Sequence, residues 1–321
     1  MLNLFIKEKT IDDLLLSLYT SIELQPKSTI TTSRGECIEE LGVYLKLTNP
    51  LSRVSWSVSR GKAFSALGEF LWYVSGSDKL DFIEYYIPKY IDESTNGESV
   101  HGAYGKRIYC QEYCQIEQVI SLLSQKPNTR RAVIQLFKVE DLNVELKNIP
   151  CTLSLQFFIR HSKLDMHVFM RSNDAYKGLP HDIFSFTLLQ EYIARRLNVE
   201  LGTYNHFVSS MHVYKSDISK VKKYISDGYQ SSSSTMTKMP FEKPKENLDI
   251  LLLYESKIRK KGIASAKGIN DYWADLITLL NMYRCFKDKD SVEFERQMSL
   301  LNNTGYRQLA KEKFSQLVGK I

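Results

Sequence analysis

Apolar and polar positions recur along this 321-residue chain with two different periods. Within residues 8–22, Ile11, Leu14, Leu15, Leu18 and Tyr19 fall at three- and four-residue spacing, which predicts a helix. Gly42 to Leu47 predicts a strand. Residues 62–75 are apolar almost throughout, so a largely buried helix is expected there, ended by Gly76. An aromatic-rich helical segment follows at 79–90 and breaks at Pro88. Residues 115–124 read as a helix and Ala132 to Phe137 as a strand. Leu153, Leu155, Phe157 and Ile159 then alternate at period two. Leu164 to Met170 repeats the pattern after the polar turn His161-Ser162-Lys163, which predicts a hairpin. Ile183 to Leu197 reads as an apolar helix, His206 to Tyr214 as a strand, and Gln230 to Thr235 as a flexible polar loop. From about Asn247 the pattern is helical and rich in Lys and Glu. The sum is an α+β class: a sheet flanked by helices, with one domain over 1–246. Residues 247–321 are expected as a helical C-terminal annex packed on the same domain.

Composition narrows the class of function. Apolar residues make up 43% of the chain and aromatics 12%, enough for a sizeable core. No run of ~18 apolar residues occurs, so no membrane helix is expected. The first residues read as the start of the fold rather than a signal peptide. Five cysteines at irregular spacing point to a reducing, cytoplasmic setting. Cys110 and Cys114 lack a second ligand pair, and no metal is expected. The net charge of +6 is no nucleic-acid footprint. It suits an anionic small substrate, and equally a solvated basic surface.

Several side chains carry potential chemistry. Cys151 follows Pro150, which fixes the backbone leading into the strand, and nearby arginines would lower a thiol's pKa. A core cysteine is the bland alternative. Arg171-Ser172 ends the second hairpin strand and could cradle a phosphate, or form a surface ion pair. Arg130-Arg131 precedes a strand, where neighbours face opposite ways. Both reaching one substrate would need an irregular backbone or a subunit boundary. Asp182 sits before an apolar helix and could be its N-cap. Glu69 lies inside the apolar run 66–72, where a lone charge costs several kcal/mol, so it is either paired or functional.

Together, Arg34, Glu69-Phe-Leu-Trp72, Tyr104-Gly105-Lys106, Arg130-Arg131, Pro150-Cys151, Gln156-Phe157, Arg171-Ser172-x-Asp174, Gly178-Leu179-Pro180 and His212-Val213-Tyr214 resemble the thymidylate synthase superfamily in order and spacing. The resemblance covers roughly residues 30–215. It implies a single α/β domain around a twisted mixed sheet, working as a homodimer. It also implies a pyrimidine nucleoside monophosphate substrate and 5,10-methylenetetrahydrofolate as co-substrate, with no nucleic acid, membrane or metal. By resemblance Cys151 attacks C6 of the pyrimidine, and Glu69 organises water and proton transfers. Arg34, Arg171 and Ser172 hold the phosphate, and Arg130 and Arg131 reach it from the other subunit. Tyr104 sits near the nucleophile, and His212 and Tyr214 near the sugar. Asp174, Gly178 and Ile91 belong to the folate side.

The departures from the family pattern select within it. Thymidylate synthases carry Asn where this chain has Asp182; an amide donates and accepts, which suits uracil. An ionised carboxylate only accepts, which suits the N4 amino group of cytosine and a protonated N3. The resemblance therefore points to the cytidylate hydroxymethylase branch, with Asp182 reading the base. One Asp182 oxygen could cap the helix while the other reads cytosine. His181 replaces the usual Phe and Thr152 the usual His. The segment Tyr90-Ile91-Asp92-Glu93-Ser94 lacks the tryptophan that shields the folate, and the C-terminus does not resemble the family's closing tail. Lost shielding would let water add to the C5 methylene. The expected product is 5-hydroxymethyl-(d)CMP, with tetrahydrofolate released. The alternatives are a C5-methylating enzyme with hydride transfer, a uridylate hydroxymethylase, and a catalytically silent nucleotide- or RNA-binding protein.

Overall fold

The alternation at residues 153–170 builds two adjacent strands inside the main sheet. The computed structural model describes residues 4–24, 28–57, 63–110, 113–143, 145–228 and 235–319. Its strands are β1 (Leu4–Glu8), β2 (Ser28–Thr32), β3 (Gly35–Leu47), β4 (Tyr109–Cys110), β5 (Tyr113–Cys114), β6 (Val133–Gln135), β7 (Thr152–Arg160), β8 (Lys163–Asp174) and β9 (Glu200–Tyr214). Its helices are α1 (Ile11–Leu24), α2 (Ala63–Val74), α3 (Leu80–Tyr86), α4 (Tyr104–Ile108), α5 (Gln115–Gln125), α6 (Leu179–Arg196), α7 (Ile218–Ser226), α8 (Pro244–Lys261), α9 (Asp271–Asp288), α10 (Ser291–Leu300) and α11 (Thr304–Leu317). Short 3₁₀ segments cover Pro88–Glu93, Val139–Leu142 and Lys215–Asp217. The polar loop expected from Gln230 lies outside the described residues, apart from Thr235.

The main sheet has seven strands in the order β1-β3-β9-β8-β7-β6, with β2 paired to β3. β1 and β3 run parallel, as do β8 and β9; the other pairs are antiparallel. The class is α+β, a sheet flanked by helices, as the patterning predicts, and the sheet is mixed, as the resemblance implies. Parallel neighbours need a crossover, and α6 supplies it between β8 and β9. This unit positions the site. The carboxyl end of β8 delivers Arg171, Ser172, Asn173 and Asp174, and the first turn of α6 brings His181 and Asp182 beside them. α6 is buried along nearly its whole length, packed on α2 and on β8 and β9.

Two local features fix the hairpin. His161 and Ser162 form a two-residue loop with φ of 50° and 59°, the left-handed pair that matches strand twist. At the far end the register slips: Thr152 faces Met170 while Ser154 faces Phe169, leaving Leu153 as a bulge. The Leu153 carbonyl accepts from the amides of Leu136 (3.0 Å) and Phe137 (3.1 Å).

Several boundaries differ from expectation. The strand expected from Gly42 starts at Gly35, with Gly42 inside it at φ 72°. β9 starts six residues ahead of His206, and α6 starts at Leu179 rather than Ile183. The segment expected over 79–90 does break at Pro88: α3 ends at Tyr86, Ile87 leaves the helical region (φ −133°, ψ 86°), and a 3₁₀ segment follows. β1, β2, β4, β5, α4 and α7 were not predicted.

The C-terminal helices dock on the same elements. α8 packs on α6, and α9 on α2 and α8. Tyr86 Oη donates to Glu255 Oε1 at 2.9 Å, and Tyr283 Oη donates to the carbonyls of Tyr85 (3.0 Å) and Tyr86 (3.1 Å). Deeper in, Arg53 Nη2 meets Glu191 Oε2 at 2.7 Å, both side chains fully buried. No helix among the described residues is long and apolar enough to cross a membrane.

Candidate active site

Cys151 stands immediately before β7, next to the bulge, and is partly buried. The Arg171 guanidinium wraps the segment leading to it. Nε donates to the Pro150 carbonyl at 2.9 Å, and Nη2 reaches the Ile149 carbonyl at 3.3 Å and Cys151 Sγ at 3.7 Å. Nη1 of Arg171 makes no hydrogen bond among the described residues. The thiol's acidity departs from expectation. Burial raises its pKa above the ordinary thiol value, Arg171 draws it down, Asp182 pushes it up, and burial prevails. The resting group is a thiol.

Tyr104 lies over this segment. Its oxygen accepts from Thr152 Oγ1 (3.0 Å) and from the Thr152 amide (3.2 Å), so its own proton points to a third partner. Burial raises the Tyr104 pKa far above the usual tyrosine value, which keeps that proton on. Its ring stacks with Phe186 and tilts against Tyr73.

Glu69 is paired inside the apolar helix α2. Oε1 accepts from Tyr90 Oη at 3.1 Å and Oε2 from His181 Nδ1 at 3.0 Å. His181 Nε2 faces Ser65 Oγ at 3.3 Å. Tyr90 is also set edge-on against Trp72. Thus two of the departures from the family pattern, Thr152 and His181, each bond a candidate catalytic group.

Asp182 corrects an expectation. It is not the cap of α6; Gly178 occupies that position, and Asp182 lies a full turn in, its amide bonded to the Gly178 carbonyl at 3.0 Å. Its carboxyl is buried and accepts from Asn173 Nδ2 at 2.8 Å through Oδ2. Gly178 packs closely here: an added Cβ would lie 3.2 Å from Asn173 Nδ2 and 3.3 Å from the Asp174 carbonyl, a tight fit. Burial, then the nearby Glu69, raise the Asp182 pKa well above the carboxylate range; the Asn173 hydrogen bond opposes them. Asn173 Oδ1 in turn meets His206 Nε2 at 3.1 Å, and His206 Nδ1 meets Tyr204 Oη at 2.7 Å.

The remaining candidates ring this centre unevenly. Ser172 Oγ and His212 Nδ1 are 3.4 Å apart, and the His212 ring meets Tyr214 edge-on. Burial lowers the His212 pKa. Asp174 Oδ1 accepts from the amides of Tyr176 and Lys177, both at 2.9 Å, and so fixes the turn into α6. Arg34, in the β2–β3 turn, pairs with Glu93 at 2.6 Å, and Glu93 also accepts from Asn148 Nδ2 at 3.0 Å. Ile91 is 55% exposed on the 3₁₀ segment. Arg130 and Arg131 are exposed, and no hydrogen bond or ion pair among the described residues joins their side chains to the cluster. Tyr90, Asn173, Tyr204 and His206 belong to the cluster and were not singled out from sequence. Among the described residues no group of His, Cys, Asp and Glu could hold a metal ion.

The thymidylate synthase family model matches residues 59–258. The chain belongs to that family. The match begins after Arg34 and runs past Tyr214 into α8, so it covers a different span from the expected 30–215. Glu69, Cys151, Arg171 and Asp182 all fall inside the matched span. Individual relatives are more distant. A deoxyuridylate hydroxymethyltransferase of Bacillus phage SP01 is 28% identical over 204 residues, covering 59% of this chain and 53% of that protein. Another protein of that name, from Pseudomonas phage M6, is 32% identical over 185 residues, with coverage of 56% and 52%. A thymidylate synthase of Symbiobacterium thermophilum is 30% identical over 176 residues, with coverage of 49% and 61%. The chain spans about half the length of the phage relatives it matches.

Proposed function

We propose that this family member hydroxymethylates C5 of cytidylate, CMP or dCMP, with 5,10-methylenetetrahydrofolate and water. The observation that carries the reading is a carboxyl rather than an amide at position 182, with an N–H donor aimed at its Oδ2. That arrangement favours Asp182 as an acceptor, and cytosine is the base whose N4 donates to an acceptor. A neutral Asp182 can pass its proton to cytosine N3, which activates C6. The raised pKa in the resting site supports this order of events.

Cys151 then gives its thiol proton to solvent water and adds to C6 as the thiolate, the anionic sulfur facing the Arg171 guanidinium. Arg171 Nη1 and Ser172 present donors for the phosphate, and Arg130 and Arg131 serve a second subunit's site in a homodimer. Arg34 contributes only by sharing or leaving Glu93. Tyr104, with its proton directed outward, donates near the reacting carbon. Folate supplies the one-carbon unit. Asp174, Gly178 and the exposed apolar Ile91 fit the rim where a flat pterin would lie. Glu69, held by Tyr90 and His181, orients the water that completes the hydroxymethyl group. Tetrahydrofolate leaves.

Uridylate hydroxymethylation is a second reading with specific support. A neutral carboxyl donates and accepts like an amide, and the two phage relatives carry a deoxyuridylate name. Turnover with CMP, dCMP, UMP and dUMP, scored by product mass and dihydrofolate absorbance, decides. Hydroxymethyl-(d)CMP without dihydrofolate is the expected result. Hydroxymethyl-(d)UMP supports the second reading, dihydrofolate supports a methylating enzyme, and no exchange of tritium from C5 supports a silent binding protein.

A further inference from the structure

The geometry points to Tyr204, His206 and Asn173 as positioning residues for base selection: a buried donor chain that pins one oxygen of Asp182 as an acceptor and leaves the other to read the base. This rests on the reading of Asp182 as the base-reading group. The four side chains are 1%, 0%, 3% and 8% exposed in the order Tyr204, His206, Asn173, Asp182. Their contacts are 2.7, 3.1 and 2.8 Å, and they link β9 to β8 to the first turn of α6.

Only two directions of this chain satisfy every donor. In one, Tyr204 O–H donates to His206 Nδ1, His206 Nε2–H to Asn173 Oδ1, and Asn173 Nδ2–H to Asp182 Oδ2. In the other, Asp182 Oδ2–H donates to a flipped Asn173, which donates to His206 Nε2, and His206 Nδ1–H donates to Tyr204. The amide as placed selects the first. Two properties keep it there. Burial lowers the His206 pKa to about 3, so the ring is neutral and has one donor and one acceptor. Burial also holds the proton on Tyr204. A neutral ring with a donor on one side and an acceptor on the other transmits direction, and a cation there would break the chain. With Oδ2 occupied, any proton on Asp182 resides on Oδ1, on the side left for the base.

This separates two jobs at one residue. Asp182 reads the base, and the chain decides which atom of Asp182 does so. Loss of the chain frees the carboxyl to rotate and to place its proton on either oxygen. Discrimination between cytosine and uracil then falls, while phosphate binding stays.

The test is equilibrium binding of CMP, dCMP, UMP and dUMP to the intact protein and to Asn173→Ala, His206→Phe and Tyr204→Phe. The first two are expected to change the cytidylate-to-uridylate ratio of affinities about 10-fold or more, the scale of one buried hydrogen bond. The milder Tyr204→Phe, which keeps the ring packed, should move it by about 3-fold. Nitrogen-15 spectra of the unaltered protein should show His206 as the Nε2–H tautomer, without titration above pH ~5. An unchanged ratio in the folded variants, or an Nδ1–H tautomer, overturns the proposal. The cytidylate reading fails separately, in the unaltered protein, if that protein prefers uridylate. The positioning proposal then stands or falls on whether the variants shift the ratio.

Discussion

Asp182 is costly to the fold, and the sign of that cost can be worked out. Its folded pKa is raised, so between the ordinary value near ~4 and the folded value the folded state holds a proton the unfolded state has lost. Stability contributed by this group is therefore full below ~4 and declines as pH rises through that window. Asp182→Asn keeps an acceptor for Asn173 and carries no charge. Its melting temperature should exceed that of the parent at pH 7, with the gain vanishing near pH ~4. The same variant should shift nucleotide preference toward uridylate by about 10-fold or more. Cys151 gives a second residue-scale expectation. Because burial outweighs Arg171, alkylation of the thiol should follow a midpoint above the ordinary thiol range of ~8.5. A midpoint below that range would show that the guanidinium prevails. His181→Phe removes one of two donors to Glu69 and should lower kcat about 10- to 100-fold with little change in nucleotide KM. Glu69 stood out in sequence as a charge inside an apolar run, and its two hydrogen bonds show it paired; Cys151 and Asp182 stood out by their place in the family pattern. Asn173 and His206 did not, since they lie 33 residues apart and each alone reads as an ordinary strand residue.

At the scale of elements, periodicity located the hairpin and the buried helices and missed edges. β7 and β8 were legible because their central residues alternate, Leu155 and Phe157 on β7 and Leu164, Met166, Val168 and Met170 on β8 being buried. β9 was only half legible: Tyr204, His206 and Val208 are buried, and past Ser209 the buried set becomes Met211 and Val213. The phase changes beside Gly42, whose positive φ bends the partner strand. β1 and β2 are short and partly exposed, so their pattern is weak. The hairpin loop offers a direct test. Asn and Gly adopt the left-handed conformation of His161 and Ser162 with less strain, so His161→Asn with Ser162→Gly should stabilise the fold by about 1 kcal/mol in chemical denaturation. No gain would mean that the loop conformation is not strained.

At the scale of the molecule, the helices past residue 262 behave as part of the fold's support. Trp273, Leu276, Ile277, Leu280 and Met282 are at most 2% exposed, and Tyr283 bonds the end of α3, just ahead of the segment that carries Tyr90. A chain ended at residue 262 is expected to lose cooperative unfolding; a cooperative transition would show an independent catalytic unit. The arrangement also depends on parity. Side chains along a strand alternate between faces, so whether Cys151 looks into the site depends on an odd or even count from the hairpin loop. Leu153 adds the one residue that sets that count. The molecule can absorb length changes in its surface loops, but deleting a single residue here would turn the thiol to the opposite face of the sheet and Thr152 with it, so the contacts of Tyr104 and Arg171 to this segment would be lost together.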